Sequence, residues 1–438
     1  MTDLLAARLE MSAALAFHIP FAVAGVALPS MILAAEIRAR RKGAAGERLL
    51  AESWGRLLGV LFAVGAASGT VVGFLLGLLW PGFLVLAGSV VGFAFVVEGF
   101  FFFLEAIALG AILYGRNRIP EIVRLGSLAV IGLASFASAL LIVSVNAWMN
   151  TPSGIEIGPG GRIGEVDLLR VLLPPAFPTE AVHVLSTAFL ALSFALLGFH
   201  AAGVRKRPES SVHRAGLRIA LAFAISFAPL AILTGDASAK HDARRQPSKL
   251  AAAEALFETK AGAPLSIGGW PDMENRRMVG AIEIPRMLSF LATGSFSGKV
   301  IGLDAFPPEE WPPVPWVHAS FQVMVGCGFA MLGIALWGAA LWFCPRPLEG
   351  RRLFLLAAAI AAPAGFVAIE AGWIVTEVGR QPWVIRGILR TSEAATAVPN
   401  LVVPLAVLAI IEGLLAAAVI LFLRREWMAA SAPPPGAP

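Results

Sequence analysis

The sequence predicts an all-α integral membrane protein: a bundle of about nine transmembrane helices with one long outer loop. Of its 438 residues, 58% are hydrophobic and 14% are charged, and the mean hydropathy is +0.78. A soluble domain is nearer half apolar and a quarter charged, so this much apolar surface needs a bilayer. Isolated strands would leave backbone groups unpaired in lipid, so the spans are predicted to be helices.

Apolar stretches of roughly 20 residues or more are long enough to cross the hydrocarbon core. They lie near 11–35, 54–79, 84–114, 125–148, 181–203, 215–235, 316–343, 353–376 and 399–423. The predicted organisation is then six spans in 1–235, an outer loop over 236–315, three spans in 316–425 and a disordered tail over 426–438. Because a loop of this length usually has its own structure or a function, it is a candidate functional segment.

Basic residues cluster in the odd-numbered connections and after the last span, as at Arg38, Arg118, Arg205, Arg346 and Arg424. Such residues favour the cytoplasmic side. The N-terminus and the long loop are therefore predicted outside and the C-terminus in the cytoplasm. The net charge of +5 is accounted for by these loops and does not indicate nucleic-acid binding.

Four potential iron ligands are predicted to share the outer leaflet: His18, His183, Met324 and Glu377. A His/Met pair fills both axial positions of an electron-transfer haem, whereas a single His or carboxylate leaves a position open for oxygen. Taken singly, each has a plainer interpretation as an interfacial histidine, a core methionine or an ion pair with Arg380. The remaining histidines are weaker candidates, because they lie in loops or near interfaces: His200, His213, His241 and His318.

Glu98 and Glu105 lie seven residues apart in the third span and so share one helix face. Intramembrane acids are functional candidates, and two carboxyls along the membrane normal suit a proton relay from the inside. The alternative is a pair of protonated structural acids. Glu36 is predicted to be solvated at a helix end. Glu370 has no assigned role and is either structural or a further proton site.

Five sequence strings resemble subunit I of the cytochrome bd-type quinol oxidases. They are GRQPW at 379–383 with Trp373 and Glu377 before it, the segment 235–269 that begins GDASAKHDARR, EIPRMLSFLATGSF at 283–296, VNAWMNTPSG at 145–154 and FQVMVGCGF at 321–329. The resemblance runs along nearly the whole chain in the family's order. It implies oxidation of quinol by oxygen with water as the product.

The resemblance also implies three haems on the outer side. His183 and Met324 match the axial pair of a low-spin haem b, and His18 and Glu377 match the ligands of two high-spin haems. One of these is a haem b, and the other is a haem d or a third haem b. It stays open which of the two ligands holds the oxygen-reactive iron. Further matches are two basic residues near haem propionates and an aromatic residue between haems: Arg8, Arg380 and Trp373.

Lys249 and Glu254 match loop positions implicated in quinol oxidation, and Glu98 with Glu105 resembles the family's proton path. Gln322 stands where many members have Arg near the low-spin haem, so a lower reduction potential is expected. The short outer loop resembles the short-loop members, a group that includes cyanide-insensitive oxidases. The family further implies a second large membrane subunit, subunit II, and leaves open a small single-helix subunit.

Three other functions are alternatives to a quinol oxidase. A haem–copper oxidase is disfavoured because the chain has six histidines and one tyrosine, Tyr114, at the inner end of a span. A proton-coupled transporter fits the intramembrane acids but predicts no bound chromophore. A haem-anchoring subunit that only relays electrons would consume no oxygen. The colour and oxygen consumption of the purified protein distinguish these alternatives.

Overall fold

A computed structural model of the chain describes residues 2–42, 45–115, 118–158 and 163–430. Within these ranges, nine helical segments are long and apolar enough to span a membrane, which confirms the predicted fold class. They are α1 (Asp3–Lys42), α2 (Ala45–Leu79), α3 (Pro81–Tyr114), α4 (Glu121–Asn150), α6 (Phe177–Lys206), α7 (Ser211–Arg245), α10 (Val314–Trp342), α11 (Arg352–Ile360) continued by α12 (Ala364–Val378), and α14 (Val402–Ala430). Four short helices join them: α5 (Leu168–Leu172), α8 (Pro247–Ala253), α9 (Met287–Thr293) and α13 (Thr391–Ala394).

The helices differ from the predicted spans at three places. The sixth span was expected to end at residue 235, but α7 continues to Arg245, where ion pairs such as Asp236–Lys240 at 2.5 Å support polar helical turns. The eighth span is two helices, since residues 361–363 interrupt it before α12, and Pro363 supplies no backbone donor there. Residues 426–430, assigned to a disordered tail, continue α14; residues 431–438 lie outside the described ranges.

In the described ranges the strands form five two-stranded antiparallel pairs, most of them in the long loop. The pairs are β1 (Ile155–Ile157) with β2 (Ile163–Val166), β3 (Lys260–Ala261) with β8 (Lys299–Val300), β4 (Leu265–Ile267) with β7 (Ile282–Ile284), β5 (Trp270–Asp272) with β6 (Arg277–Val279), and β9 (Trp383–Ile385) with β10 (Leu389–Arg390). The loop packs its own apolar residues, including Ala252 and Leu303, against the first turns of α10. It is therefore a folded cap on the bundle.

Small residues let the helices of the core approach closely. A Cβ at Gly365 of α12 would meet Ala191 of α6 at 2.8 Å, and a Cβ at Gly338 of α10 would meet Leu221 of α7 at 2.6 Å. Close backbone approach through small residues is a usual means of helix association in membranes, where lipid removes the hydrophobic drive. Helices α6, α7 and α10–α12 thus form the compact centre of the bundle.

The bundle has two distinct ends, which we call the loop side and the basic side. On the loop side, Leu401 before α14 donates its N–H to Asp3 of α1 at 3.2 Å, and Thr396 donates its N–H to Leu79 of α2 at 2.8 Å. On the basic side, Arg40 pairs with Glu121 at 2.5 Å. α1 therefore starts at the loop side, and α14 ends at the basic side.

On the basic side, Glu36 is buried, so the prediction that it is solvated was wrong. Glu36 is 4% exposed and accepts two hydrogen bonds from Arg124 of α4. The helix α1 extends beyond Glu36 to Lys42, so this acid lies between helices rather than at a helix end. A buried carboxylate with a bidentate guanidinium partner is a structural clamp.

Candidate functional site

The predicted iron ligands lie on α1, α6 and α12, which meet near the loop side, and on α10, which packs against α12. Ile19 of α1, Leu185 of α6, and Ile369 and Trp373 of α12 belong to one apolar cluster. These residues adjoin His18, His183 and Glu377 in the sequence. The cluster therefore brings the ligand-bearing helix segments together around Trp373, the aromatic residue predicted to lie between haems.

His18 is held by α2. Its Nδ1 lies 3.0 Å from the Ser68 hydroxyl, and a Cβ added at Gly69 would lie 2.9 Å from the imidazole. Its Nε2 makes no hydrogen bond among the described residues. A histidine that ligates a metal usually has its second nitrogen bonded to the protein, which fixes the ring orientation.

His183 and Met324 repeat this arrangement. The His183 Nδ1 lies 3.2 Å from the Thr234 hydroxyl of α7, and a Cβ at Gly235 would lie 3.1 Å from the ring. A Cβ at Gly372 of α12 would lie 3.1 Å from the Met324 sulfur. All three sulfur or imidazole candidates thus lie against a glycine on a neighbouring helix, where a larger side chain would displace them.

Glu377 ends α12 within a hydrogen-bonded group. Its carboxylate accepts hydrogen bonds from Asn146 of α4 and from Arg380. Arg380 is 2% exposed and also donates to Asn150 Oδ1 at 3.3 Å. These donors fix the orientation of the carboxylate. Two imidazoles with Nδ1 bonded, one thioether and one fixed carboxylate are a donor set that fits haem iron.

Arg8 and Gln322, the two other residues predicted near the haems, have different surroundings. Arg8 is half-buried on the first turns of α1. Gln322 contacts the loop: its amide donates to Ser266 O at 2.9 Å and accepts from Gly268 N–H at 3.1 Å. Two residues along a helix point about 200° apart, so Gln322 faces the loop while Met324 faces α12. The place of Gln322 relative to the low-spin haem stays a prediction.

The loop residues predicted to serve quinol are both buried. The Lys249 side chain is 3% exposed, its Nζ lies 3.8 Å from the Asp242 carboxylate, and a Cβ at Gly379 would meet its Cγ at 2.9 Å. Glu254 is 6% exposed, and its Oε2 has no hydrogen bond among the described residues. Burial raises the pKa of Glu254 to about 8.

The loop is fastened to the bundle beside these two residues. The Ala253 carbonyl lies 2.8 Å from His318 Nδ1 of α10, and Arg386 donates to the Ser248 hydroxyl at 2.9 Å. Apolar residues of α12, Val375 and Val378, pack on the same loop segment. The predicted quinol residues therefore lie within about one helical turn of the end of α12 that carries Glu377.

The two predicted proton-path acids face α4. Glu98 is half-buried and accepts a hydrogen bond from the Ser138 hydroxyl at 3.1 Å. Glu105 is 8% exposed and lies close to the Ser135 hydroxyl, although the two are not within normal hydrogen-bonding distance. The acids therefore lie along one side of α3, in the order that the helix period predicts.

Comparison with known proteins settles the family. The model of the cytochrome bd terminal oxidase subunit I family matches residues 6–430. The chain belongs to this family. It is thus a subunit of a haem-binding terminal oxidase and a multi-pass membrane protein. This excludes the transporter and the haem–copper oxidase considered above.

Individual relatives of this cytochrome bd subunit agree in length. It is 36% identical over 427 residues to the putative cytochrome bd menaquinol oxidase subunit I of Bacillus subtilis, covering 96% of this chain and 95% of that one. It is 30% identical to the cytochrome bd ubiquinol oxidase subunit 1 of the same organism, covering 91% and 87%. The bd oxidase structure from Geobacillus thermodenitrificans superposes with a TM-score of 0.91 at 36% identity, covering 97% and 98%.

The structure adds a polar stripe on α4 to this cytochrome bd subunit. Ser135, Ser138, Asn146 and Asn150 lie on one face of α4. In this order they face four acids: Glu105, Glu98, Glu377 and Glu180. Asn150 is fully buried and bonds Asn146, Glu180 and Arg380 at 3.1 to 3.3 Å.

Four functional candidates in the structure were not among the predicted site residues: Asn146, Asn150, Glu180 and Asp242. A signal was present for the asparagines, since VNAWMNTPSG places two amides one turn apart at the end of an apolar helix, where one helix face would carry both. Glu180 lies one turn before His183, and Asp242 was assigned to a loop. Polar residues near a predicted span end look solvated in a sequence.

Three further groups lie outside these contacts. Glu370 lies two turns before Glu377 on the same face of α12, and its buried Oε1 has no hydrogen bond among the described residues. On the basic side, His200 and His213 are both buried, with their Nδ1 atoms 3.1 Å apart. His213 and His241 were predicted in loops, but both belong to α7. The histidine pair joins α6 to α7 far from the predicted haem ligands.

Proposed function

We propose that this chain is the haem-carrying catalytic subunit of an electrogenic quinol:oxygen oxidoreductase. Quinol is oxidised at the loop side, which is the outer face, and oxygen is reduced to water with protons from the cytoplasm. The main support is the convergence of His18, His183, Met324 and Glu377 in the loop-side half of the bundle, beneath the segment that carries Lys249 and Glu254.

The haem ligands are assigned as follows. His183 and Met324 hold a low-spin haem b; His18 and Glu377 each hold a high-spin haem, of which one is haem b and the other haem d or a third haem b. One contact supports the first pair: a Cβ at Gly328, one turn from Met324, would meet Ile232, one turn before Gly235. The bound haems supply electron transfer and the reduction of oxygen.

The quinol site lies under the loop at Lys249 and Glu254. The buried ammonium is a hydrogen-bond donor for a quinol or quinone oxygen. Glu254 accepts a proton when it is ionised, and its buried Oε2 has no hydrogen-bond partner among the described residues. The apolar residues of the loop and the end of α12 exclude water from this position. Protons lost from quinol then leave at the outer face.

Protons for water formation travel from the basic side, the cytoplasmic face, through Glu105 and then Glu98. Ser135 and Ser138 of α4 provide hydroxyls beside the two carboxyls. Moving one charge across the membrane costs about 2.3 kcal/mol per 100 mV, which oxygen reduction supplies readily. A membrane potential therefore arises from uptake and release on opposite sides, without a pump.

The working enzyme is an assembly in the bacterial cytoplasmic membrane. Subunit II is the partner that the family implies, and a small single-helix subunit is an optional third component. The N-terminus lies outside and the C-terminus lies in the cytoplasm. The two Bacillus relatives are named for menaquinol and ubiquinol, so the ring of the natural quinol is to be found by assaying both.

Replacing Met324 by Leu tests the proposed function at its first haem. The change conserves volume in a helix core, so the subunit should insert while the low-spin haem b bands vanish from the reduced-minus-oxidised spectrum. Met331→Leu is the matched control, since Met331 is buried on the same helix at 2% exposure and should leave the spectrum intact. Intact low-spin bands in Met324→Leu contradict the ligand assignment.

A second variant tests the loop. Glu254→Ala should stop oxidation of decylubiquinol while all haem bands remain, because the loop packs through neighbouring residues rather than through this carboxyl. Glu258→Ala is the control, since Glu258 is an exposed acid four residues further along the same loop. Unchanged turnover in Glu254→Ala removes this carboxyl from quinol oxidation.

A further inference from the structure

Two half-buried acids share the lysine of the proposed quinol site. The Lys249 Nζ lies 3.8 Å from Asp242 of α7, and Glu180 of α6 interacts electrostatically with both Lys249 and Asp242. Gln246 fixes the Asp242 carboxylate by donating from Nε2 at 2.9 Å. One ammonium therefore faces two carboxylates. That is one acid more than a simple ion pair needs.

Quinol chemistry requires more than one proton acceptor. Each quinol loses two electrons and two protons when it becomes quinone, yet Glu254 is a single base. Burial raises the pKa of that carboxyl to about 8, so near neutral pH it is mostly protonated before quinol binds. A second carboxylate beside Lys249 meets this requirement.

We propose that Asp242 is a second proton acceptor in quinol oxidation, and that Glu180 is the positioning residue that keeps Lys249 paired while Asp242 is protonated. This inference rests on the proposed function. Both quinol O–H bonds break: one proton goes to Glu254 and the other to Asp242. The acceptor of the two electrons would be the haem that His183 and Met324 are proposed to hold.

The different exposure of Asp242 and Lys249 indicates the direction in which the proton leaves. The Asp242 side chain is 23% exposed, whereas Lys249 is 3% exposed, so the acceptor alone reaches water at the loop side. When Asp242 is neutral, Glu180 still balances the buried ammonium. An unpaired buried charge would cost several kcal/mol, which is why one acid would not suffice.

The surroundings of Asp242 contain other charges that set its proton affinity. Lys249, His241 and Arg386 face it from α8, from α7 itself and from the segment between β9 and β10, and Glu180 faces it from α6. Arg386 also anchors Ser248 of the loop. Release of the proton to the outer water therefore occurs within a group of three bases and two acids.

The test compares two electron donors on the purified, haem-loaded oxidase complex. Decylubiquinol releases protons with its electrons, whereas tetramethylphenylenediamine kept reduced by ascorbate gives single electrons without protons. Asp242→Asn should lower the kcat for decylubiquinol about 100-fold, in the range expected for loss of a general base. It should leave the rate with the diamine and the haem spectrum unchanged. Glu258→Gln, at an exposed acid of the same loop, should change neither rate.

Two further variants separate catalysis from packing. Asp242→Glu keeps a carboxyl and should restore most of the quinol rate. Glu180→Gln should raise the KM for decylubiquinol more than it lowers kcat, because it loosens Lys249 without removing the acceptor. Equal slowing with both donors in Asp242→Asn, full quinol turnover in that variant, or no recovery in Asp242→Glu would each overturn the assignment. An unmodified complex that does not oxidise decylubiquinol or its menaquinol counterpart would instead overturn the proposed function.

Discussion

The two halves of α4 serve carboxyl groups in different ways. Towards the loop side, the amides of Asn146 and Asn150 bond Glu377 and Glu180 within a network that includes the guanidinium of Arg380. Towards the basic side, the hydroxyls of Ser135 and Ser138 lie beside Glu105 and Glu98. Neither of these two acids has a basic partner among the residues that the structure describes. One helix therefore supports paired acids at one end and solitary acids at the other.

The difference matters because a cation fixes a carboxylate in its charged form, whereas a solitary acid in lipid can be neutral. Paired acids suit ligation and permanent charge balance at the predicted haem and quinol sites. Solitary acids suit the gain and loss of protons. We therefore expect substitutions at the loop-side end of α4 to disrupt the predicted haem and quinol sites. Substitutions at the basic-side end should mainly slow turnover.

The largest effect is expected from Arg380→Ala. The change removes the buried guanidinium that the half-buried Glu377 and Asn150 share, and losing one hydrogen bond to a charged group costs about 2 kcal/mol. We expect loss of the haem at Glu377 in pigment extracts and a lower melting temperature. Arg390→Ala is the control, since that arginine is 39% exposed and 3.8 Å from Glu310, a pair worth about 1 kcal/mol or less. Equal losses of haem and equal falls in melting temperature in the two variants would contradict this prediction.

Glu105→Gln is expected to slow oxygen consumption about 100-fold, because an amide cannot carry a proton. The folded protein should keep its haems and its melting temperature, since Gln retains the shape of the acid. Oxygen-electrode rates with decylubiquinol measure the effect. Glu121→Gln, at an exposed acid paired with Arg40, should respire normally. Loss of haem in Glu105→Gln would show that this acid is structural.

A pH profile tests Glu254 as a base. Its carboxyl must be ionised to accept a proton, and its pKa is raised to about 8 by burial. The ionised fraction, and with it quinol oxidation, should therefore rise about fivefold from pH 7 to 8. Glu254→Gln should remove this rise and leave a low, flat profile. A wild-type rate that falls over the same interval would argue against this role.

The smallest effect is expected from Ser138→Ala. The change removes one hydrogen bond to Glu98, worth about 1 kcal/mol, and leaves no charged group behind. Thermal unfolding should shift by a few degrees at most, and haem content should be unchanged. Asn150→Ala is the matched change at the other end of α4. It should destabilise the protein more, because it leaves Arg380 and Glu180 without a shared partner.

The fold was predictable because each span is a local property of the sequence. Roughly 20 apolar residues must be helical in lipid whatever surrounds them, so nine spans could be read without any tertiary contact. The end of α7 and the break between α11 and α12 could not be predicted in this way. In α7, polar turns such as Asp236–Lys240 continue the helix beyond the membrane. Hydropathy records the lipid boundary, not the helix boundary.

By itself, the sequence determined the family, the membrane class and the residue types that can hold haem iron, since these depend on composition, order and motif. Only the tertiary structure decided which groups face one another. Asn150 joins Glu180 to Arg380 across 30 and 230 positions in sequence, and Lys249 meets Asp242 only because a helix continues where a loop was predicted. Such pairings arise from helix packing, and no local pattern encodes the distance between two helices.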